Sequence, residues 1–147
     1  MTANFSMLHQ LIYRSRATSP ATKEEVETIL QQSERNNGPL GISGCLIYHN
    51  QRYIQFLEGE EANLEALYQK IKKDERHYNV TTLGRFEAEE RVFKNWKMAF
   101  FQEDQIENFI ESEALLTEKI NEFPFLAKSD NPASVLFWIK VKGLLKT

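Results

Sequence analysis

The chain has 147 residues, 41% hydrophobic and 12% aromatic, which suffices to bury one sizeable core and suits a single domain. Its net charge is −3 with Lys and Arg scattered along the sequence, so no basic stripe is available for a phosphate backbone and nucleic acid is excluded as a partner. The lone Cys45 rules out an intramolecular disulfide, the start lacks a secretory leader, and the longest apolar run, residues 135–139, is far short of the roughly 20 needed to span a bilayer, so a cytoplasmic protein with no membrane contact is expected.

Residues 8–14 (LHQLIYR) form a short apolar stretch that reads as a first strand. Thr22 with Glu25 three residues on makes a capping box, and the helix that follows places Val26, Ile29, Leu30 and Ser33 on one face. Asn36-Asn37-Gly38-Pro39 ends it, with Gly38 suited to the left-handed residue after the cap and Pro39 unable to continue the turn. CLIYH and YIQFL, joined by a tight connection at Asn50-Gln51, read as a β-hairpin. A second helix starts after Gly59, carries Leu64, Leu67, Tyr68 and Ile71 on one face and stops near Asp74. Residues 80–86 and 96–101 are the remaining strands, giving βαββαββ: an α+β, ferredoxin-like sheet with two helices on one face and an extra strand. In the tail, Ile106, Phe109, Ile110, Leu116 and Ile120 suit an amphipathic helix, and Asn131-Pro132 is a cap and first position for another through Lys146. These two helices are expected on the open face of the sheet, the last with apolar residues to spare for a subunit contact.

The glycines of NNGPLGISG, at positions 38, 41 and 44, have the spacing of a nucleotide loop but the wrong setting. A phosphate cradle runs from a strand into a helix N-terminus, where free N–H groups meet the anion. Here the chain leaves a helix C-terminus, which offers carbonyls. What the segment does supply is two amide side chains, Asn36 and Asn37, beside the two helices. Gln55 is a third amide, set among apolar neighbours and on the same strand face as Tyr53 and Leu57. Each is ordinary alone: a strand Gln usually faces water, Tyr13 suits a core, and Cys45 is a small buried hydrophobe. His9, His49 and His77 have no ligand spacing with one another or with Cys45, so no metal is expected.

Together, LIYRS, NNGPLGISG, YIQFLEGE, KIKKDERHYN and FKNWKM, in this order, closely resemble the BLUF family of blue-light receptors that use flavin. The resemblance covers roughly residues 8–102 and is weak in the tail. It implies a flavin-binding domain over residues 1–102, with residues 103–147 a helical extension on the same domain, and FAD as cofactor, FMN being the alternative. It places Tyr13 on the family's photoactive tyrosine, Gln55 on its switching glutamine, Asn37 on its flavin-binding asparagine and Asn36 beside the ring. Lys70, Asp74, Arg76 and His77 fall near the flavin's second carbonyl or ribityl chain, and Ile29, Leu30, Ser33 and Ile71 on the helices that enclose the ring. Trp96 and Met98 match the last-strand pair that relays the signal. Two departures are mild: Ser43 stands where many members have Thr, and Lys70 replaces a common Arg, losing the bidentate fork but keeping a donor.

The implied mechanism is donation of an electron and then a proton from Tyr13, leaving Gln55 rotated or tautomerised after both return. No output domain is recognised in the chain, so the signal is expected to pass to a separate protein partner or to a homo-oligomer. The rival readings are a small flavin oxidoreductase, for which no nicotinamide site is visible, and a flavin-free interaction module of ferredoxin-like fold.

Overall fold

The computed structural model describes residues 8–92, 97–100 and 131–145. Five strands form one sheet in the spatial order β4-β1-β3-β2-β5. The strands are β1 (Leu8–Ala17), β2 (Ser43–His49), β3 (Arg52–Gly59), β4 (His77–Ala88) and β5 (Lys97–Phe100). β1 pairs antiparallel with β3 and β4, β2 antiparallel with β3, and β5 adds parallel to β2. The order 4-1-3-2 is the ferredoxin-like arrangement, and β5 is the extra strand.

The hairpin is the most sharply specified piece. Asn50 and Gln51 both have positive φ, at 49° and 59°, and His49 pairs with Arg52, so the connection is a two-residue turn of the type whose twist matches its strands. That turn fixes the register of everything behind it, including Leu46 against Gln55. Alternation then sorts the strand residues onto two faces.

One face carries Leu11, Tyr13 and Leu57, which pack with Leu64 and Tyr68 of α2 (Glu61–Lys73). Beside them Leu46, Tyr48 and Tyr53 meet Ile29 of α1 (Lys23–Asn37). Half of the expected capping box is present at the start of α1, where Glu25 N–H donates to Thr22 Oγ1 at 3.1 Å. The other face carries Ile12, Cys45, Ile47, Ile54 and Phe56, covered by Ala133, Phe137, Val141 and Leu144 of α3 (Pro132–Leu145). The Asn-Pro start of α3 acts as anticipated: Ser134 N–H donates to Asn131 Oδ1 at 3.1 Å. The other tail helix expected from sequence lies outside the described residues.

One expectation is corrected. Gly38 does not take the left-handed conformation after α1; the chain tightens into a 3-10 turn, Gly38–Leu40, with Pro39 inside it. Gly41 is the left-handed residue, with φ of 69°, and its N–H closes the turn on the Gly38 carbonyl at 3.0 Å. α1 itself ends at Asn37 as expected, and because a proline is tolerated in a first turn, where its missing N–H had no partner, the left-handed residue lies three positions downstream of Gly38. Gly44 answers to a different constraint: a Cβ there would lie 1.9 Å from the Phe56 carbonyl oxygen.

Candidate functional site

Tyr13 is held on β1 between Gln55 of β3 and Thr82 of β4. The register with β4 slips between Ile12 and Tyr13, so the strand is irregular at the residue whose aim matters, as bulges beside sites often are. Its hydroxyl donates to Gln55 Oε1 in a short hydrogen bond. Tyr13 and Gln55 are only 4% and 5% exposed. Burial, with Tyr68 and Tyr53 nearby, pushes the Tyr13 phenol well above its ordinary range, so the group is a neutral hydroxyl.

The surroundings fix this tyrosine. The Tyr68 ring sits 5.5 Å from it, and the Tyr68 hydroxyl is 2.6 Å from Thr82 Oγ1. His77 stands edge-on to Tyr13 at 6.3 Å and to Tyr53 at 6.2 Å. Its Nε2 meets the Ile71 carbonyl, which can only accept, so Nε2 carries a proton; Nδ1 lies 2.8 Å from Ser15 Oγ. Both ring nitrogens of His77 are thus engaged by the protein.

Above Tyr13 and Gln55, between α1, α2 and the sheet, opens a cleft of about 810 Å³. Its wall includes Ile29, Ser33, Asn36 and Asn37 from α1 and Lys70 and Ile71 from α2, with Asp74, Arg76 and His77 following α2. Every sequence-predicted site residue whose side chain is described therefore lines one cleft. At its rim Arg76 grips Asp74 through Nε and Nη2, which holds the Asp74 carboxyl below the usual carboxylate range, and Arg76 Nη1 reaches Gln32 Oε1 at 3.4 Å. The Leu30 and Met98 side chains and all of Trp96 fall outside the described residues. The backbone register still places Met98: its Cα partner is Leu46, which pairs with Gln55, which pairs with Tyr13, one row across four strands.

Sequence reasoning missed Leu46 and Tyr53, both on the cleft wall. The signal was available, because a two-residue turn at 50–51 pairs 46 with 55, and alternation puts 53 on the face of 55.

What the cleft can hold follows from its unpaired groups. The Asn37 side chain, 5% exposed, makes no cap bond to the turn it begins and meets no partner among the described residues. Gln55 accepts from Tyr13 through Oε1, and its Nε2 likewise has no partner there. Two amide groups that face one cleft with donors and acceptors to spare suit a ligand with a mixed donor and acceptor edge. The volume lies in the range of small-molecule and cofactor sites, and Ile29, Leu46, Leu67 and Ile71 supply apolar surface for a flat ring.

A ferredoxin-like sheet with an added strand, bearing a Tyr–Gln pair beneath such a cleft, defines a domain built to hold a flat cofactor. The chain belongs to the BLUF family, the sensors of blue-light using FAD, whose profile matches residues 8–99. BLUF domains are sensory modules that bind flavin, and the amides and apolar walls present here fit that ring. The chain is 31% identical over 122 residues to photoactivated adenylate cyclase subunit beta of Euglena longa, covering 82% of this chain and 14% of that protein. It thus spans about one seventh of the length of that curated relative. Among solved structures, Klebsiella pneumoniae BlrP1 with FMN and cyclic diGMP superposes with a TM-score of 0.74 at 29% identity, over 95% of this chain and 36% of that one. The photo-activated state of BlsA superposes with a TM-score of 0.63 at 30% identity, over 96% of each chain. Among the described residues no helix is long and apolar enough to cross a membrane.

Proposed function

We propose that the chain reports blue light by exchanging two hydrogen-bonded arrangements of Tyr13 and Gln55 beneath a flavin held by Asn37. The observation that carries this reading is the buried bond from the Tyr13 hydroxyl to Gln55 Oε1 on the cleft floor. Bound flavin, FAD in this proposal, supplies absorption in the blue and an excited ring that takes an electron.

The remaining chemistry belongs to the chain. Tyr13 gives up the electron, and loss of charge from the phenol makes its proton far more acidic, so the proton leaves next; Gln55 Oε1 is the adjacent acceptor. When electron and proton return to Tyr13, Gln55 remains turned or tautomerised. A turned amide presents Nε2 to the Tyr13 oxygen, which can accept as well as donate, so a Tyr13–Gln55 hydrogen bond persists with its direction reversed while Oε1 is freed to meet another donor. Asn37 and Asn36 hold the ring edge, Ile29, Leu30, Ser33 and Ile71 enclose it, and Lys70, Asp74, Arg76 and His77 bound the side that carries the ribityl chain. Trp96 and Met98 carry the change outward. Residues 1–102 form the receptor and 103–147 an extension on the same domain. Output goes to a separate protein partner or through altered self-association. Val135 and Ile139 of α3, 43% and 56% exposed, support the second route by offering apolar surface on the sheet's far side.

The absorption spectrum of the flavin-loaded protein before and after blue light tests the reading. A reversible red shift is expected. A yellow protein that ignores light and oxidises a nicotinamide would make it an oxidoreductase, and a protein that retains no flavin would leave an interaction module. Asn37→Ala should weaken flavin retention about tenfold, since two edge hydrogen bonds at about 0.5–1.5 kcal/mol each are lost.

A further inference from the structure

The loop after β4 is tied to the end of the sheet where the Asn37 turn enters β2. Arg91 Nη1 donates to Ser43 Oγ at 2.7 Å and to the Glu58 carbonyl at 3.4 Å, while Nη2 donates to the Gly41 carbonyl. Gly41 closes the turn that begins at Asn37, and Ile42 N–H returns to the Asn37 carbonyl at 3.0 Å. The next residue, Val92, donates its N–H to Glu58 Oε2 at 3.0 Å, and Gln10 Nε2 donates to the same oxygen at 3.1 Å.

Glu58 is fully buried, as is Gln10, and both lie on the α3 side of strands whose other side carries Tyr13 and Gln55. A buried carboxylate is costly unless its oxygens are well met, so its placement against the Val92 N–H is a strong constraint on that loop. The guanidinium is a rigid planar fork, so the Gly41 carbonyl, Ser43 hydroxyl and Glu58 carbonyl are held in one fixed arrangement. Moving Gly41 must move Arg91 or break its bonds. Arg91 and Val92 in turn immediately precede the four residues before β5.

We propose that Arg91 is a positioning residue that couples the Asn37 turn to the approach to β5, with Glu58 and Gln10 gripping the adjacent Val92. Displacement of the turn on illumination is thereby passed through the sheet end to β5, in parallel with the Tyr13–Gln55–Leu46–Met98 row. This rests on the light-switching reading above, and the test keeps the two apart.

Amide hydrogen exchange of the flavin-loaded full chain, dark and lit, is compared for the wild type, Arg91→Gln and Ser43→Ala, with the red shift recorded on each sample. The wild type should show a light-induced exchange change in residues 97–100. Arg91→Gln should keep the red shift and lose that change; Ser43→Ala, which removes one of the three acceptors of Arg91, should reduce it. A residue with only a structural role would raise exchange equally in dark and light. An undiminished light-induced change in both variants would overturn the coupling, as would loss of the red shift in Arg91→Gln, which would place Arg91 in the chromophore site. Absence of a red shift in the wild type would instead overturn the light-switching reading itself.

Discussion

In the proposed switch Tyr13 serves as a donor that holds its proton until an electron leaves. Its phenol is shifted upward by burial first and by Tyr68 and Tyr53 next. Free tyrosine is half ionised near pH 10, so an exposed donor would lose its photochemistry there. The red-shift amplitude of this protein should instead stay flat from pH 7 through about pH 10.5, read by difference spectroscopy across the series. A midpoint near 10 would mean that Tyr13 is open to solvent. The same shift sets a sign for stability. Above about pH 10 the unfolded chain releases phenolic protons that the native state retains, so the unfolding free energy must fall as pH rises. Tyr53, pushed up to about 12 chiefly by burial and by Tyr48, acts in the same direction over the window from about 10 to 12. Urea unfolding at pH 8 and pH 10.5 should show the loss.

At the scale of elements, the hairpin of β2 and β3 places Gln55 beside Tyr13, and Gly44 is its tightest point. A Cβ at Gly44 would also meet the Phe56 carbonyl carbon at 3.0 Å and Leu57 Cα at 3.2 Å, all backbone atoms that cannot swing aside. Gly44→Ala should therefore cost about 3 kcal/mol or more, measured by urea unfolding, because the strands must part to admit a methyl group. A cost within 0.5 kcal/mol would mean that the pairing yields there. The glycine spacing that mimics a nucleotide loop thus dissolves into separate demands, a left-handed φ at Gly41 and backbone approach at Gly44. Much of this was legible: the two-residue turn, the Thr22 cap and the Asn131-Pro132 start are local signals, and local hydrogen bonds honoured each of them. The strand ends were not. β1 runs on to Ala17 because Ser15 and Arg16 find partners on β3, and β4 begins at His77 because it pairs with Ala17, although positive φ at Asn79 breaks its alternation. Pairing across some 60 residues leaves no mark on either segment. The Gln10–Glu58–Val92 contacts were hidden for the same reason, since each amide, acid and N–H looks unremarkable alone.

For the whole molecule, the sheet separates two tasks. One face holds the cleft over Tyr13 and Gln55, and the other is covered by α3, where Phe137 meets Phe56 edge-on at 5.6 Å. Trp138 packs against that core with Lys142 over its ring at 5.4 Å, so it belongs to the fold more than to a subunit contact. Ile139 is the better probe. Ile139→Glu should leave the flavin spectrum and unfolding midpoint within experimental error and lower the mass seen by light scattering, in the dark, in the light or in both. An unchanged mass in both would remove this helix from self-association.

Tyr13→Phe is the most direct test of the proposed role of Tyr13 as electron and proton donor. Phenylalanine keeps the ring and its contacts and forfeits one hydrogen bond, about 1 kcal/mol, so the variant should fold and stay yellow. It has no acidic proton and is a far poorer electron donor. Flavin fluorescence should rise as quenching by Tyr13 ends, and the red shift after blue light should vanish. A Tyr13→Phe protein that shifts with undiminished yield would contradict the account, since the donor would then be another residue and the bond from Tyr13 to Gln55 would not be the switch.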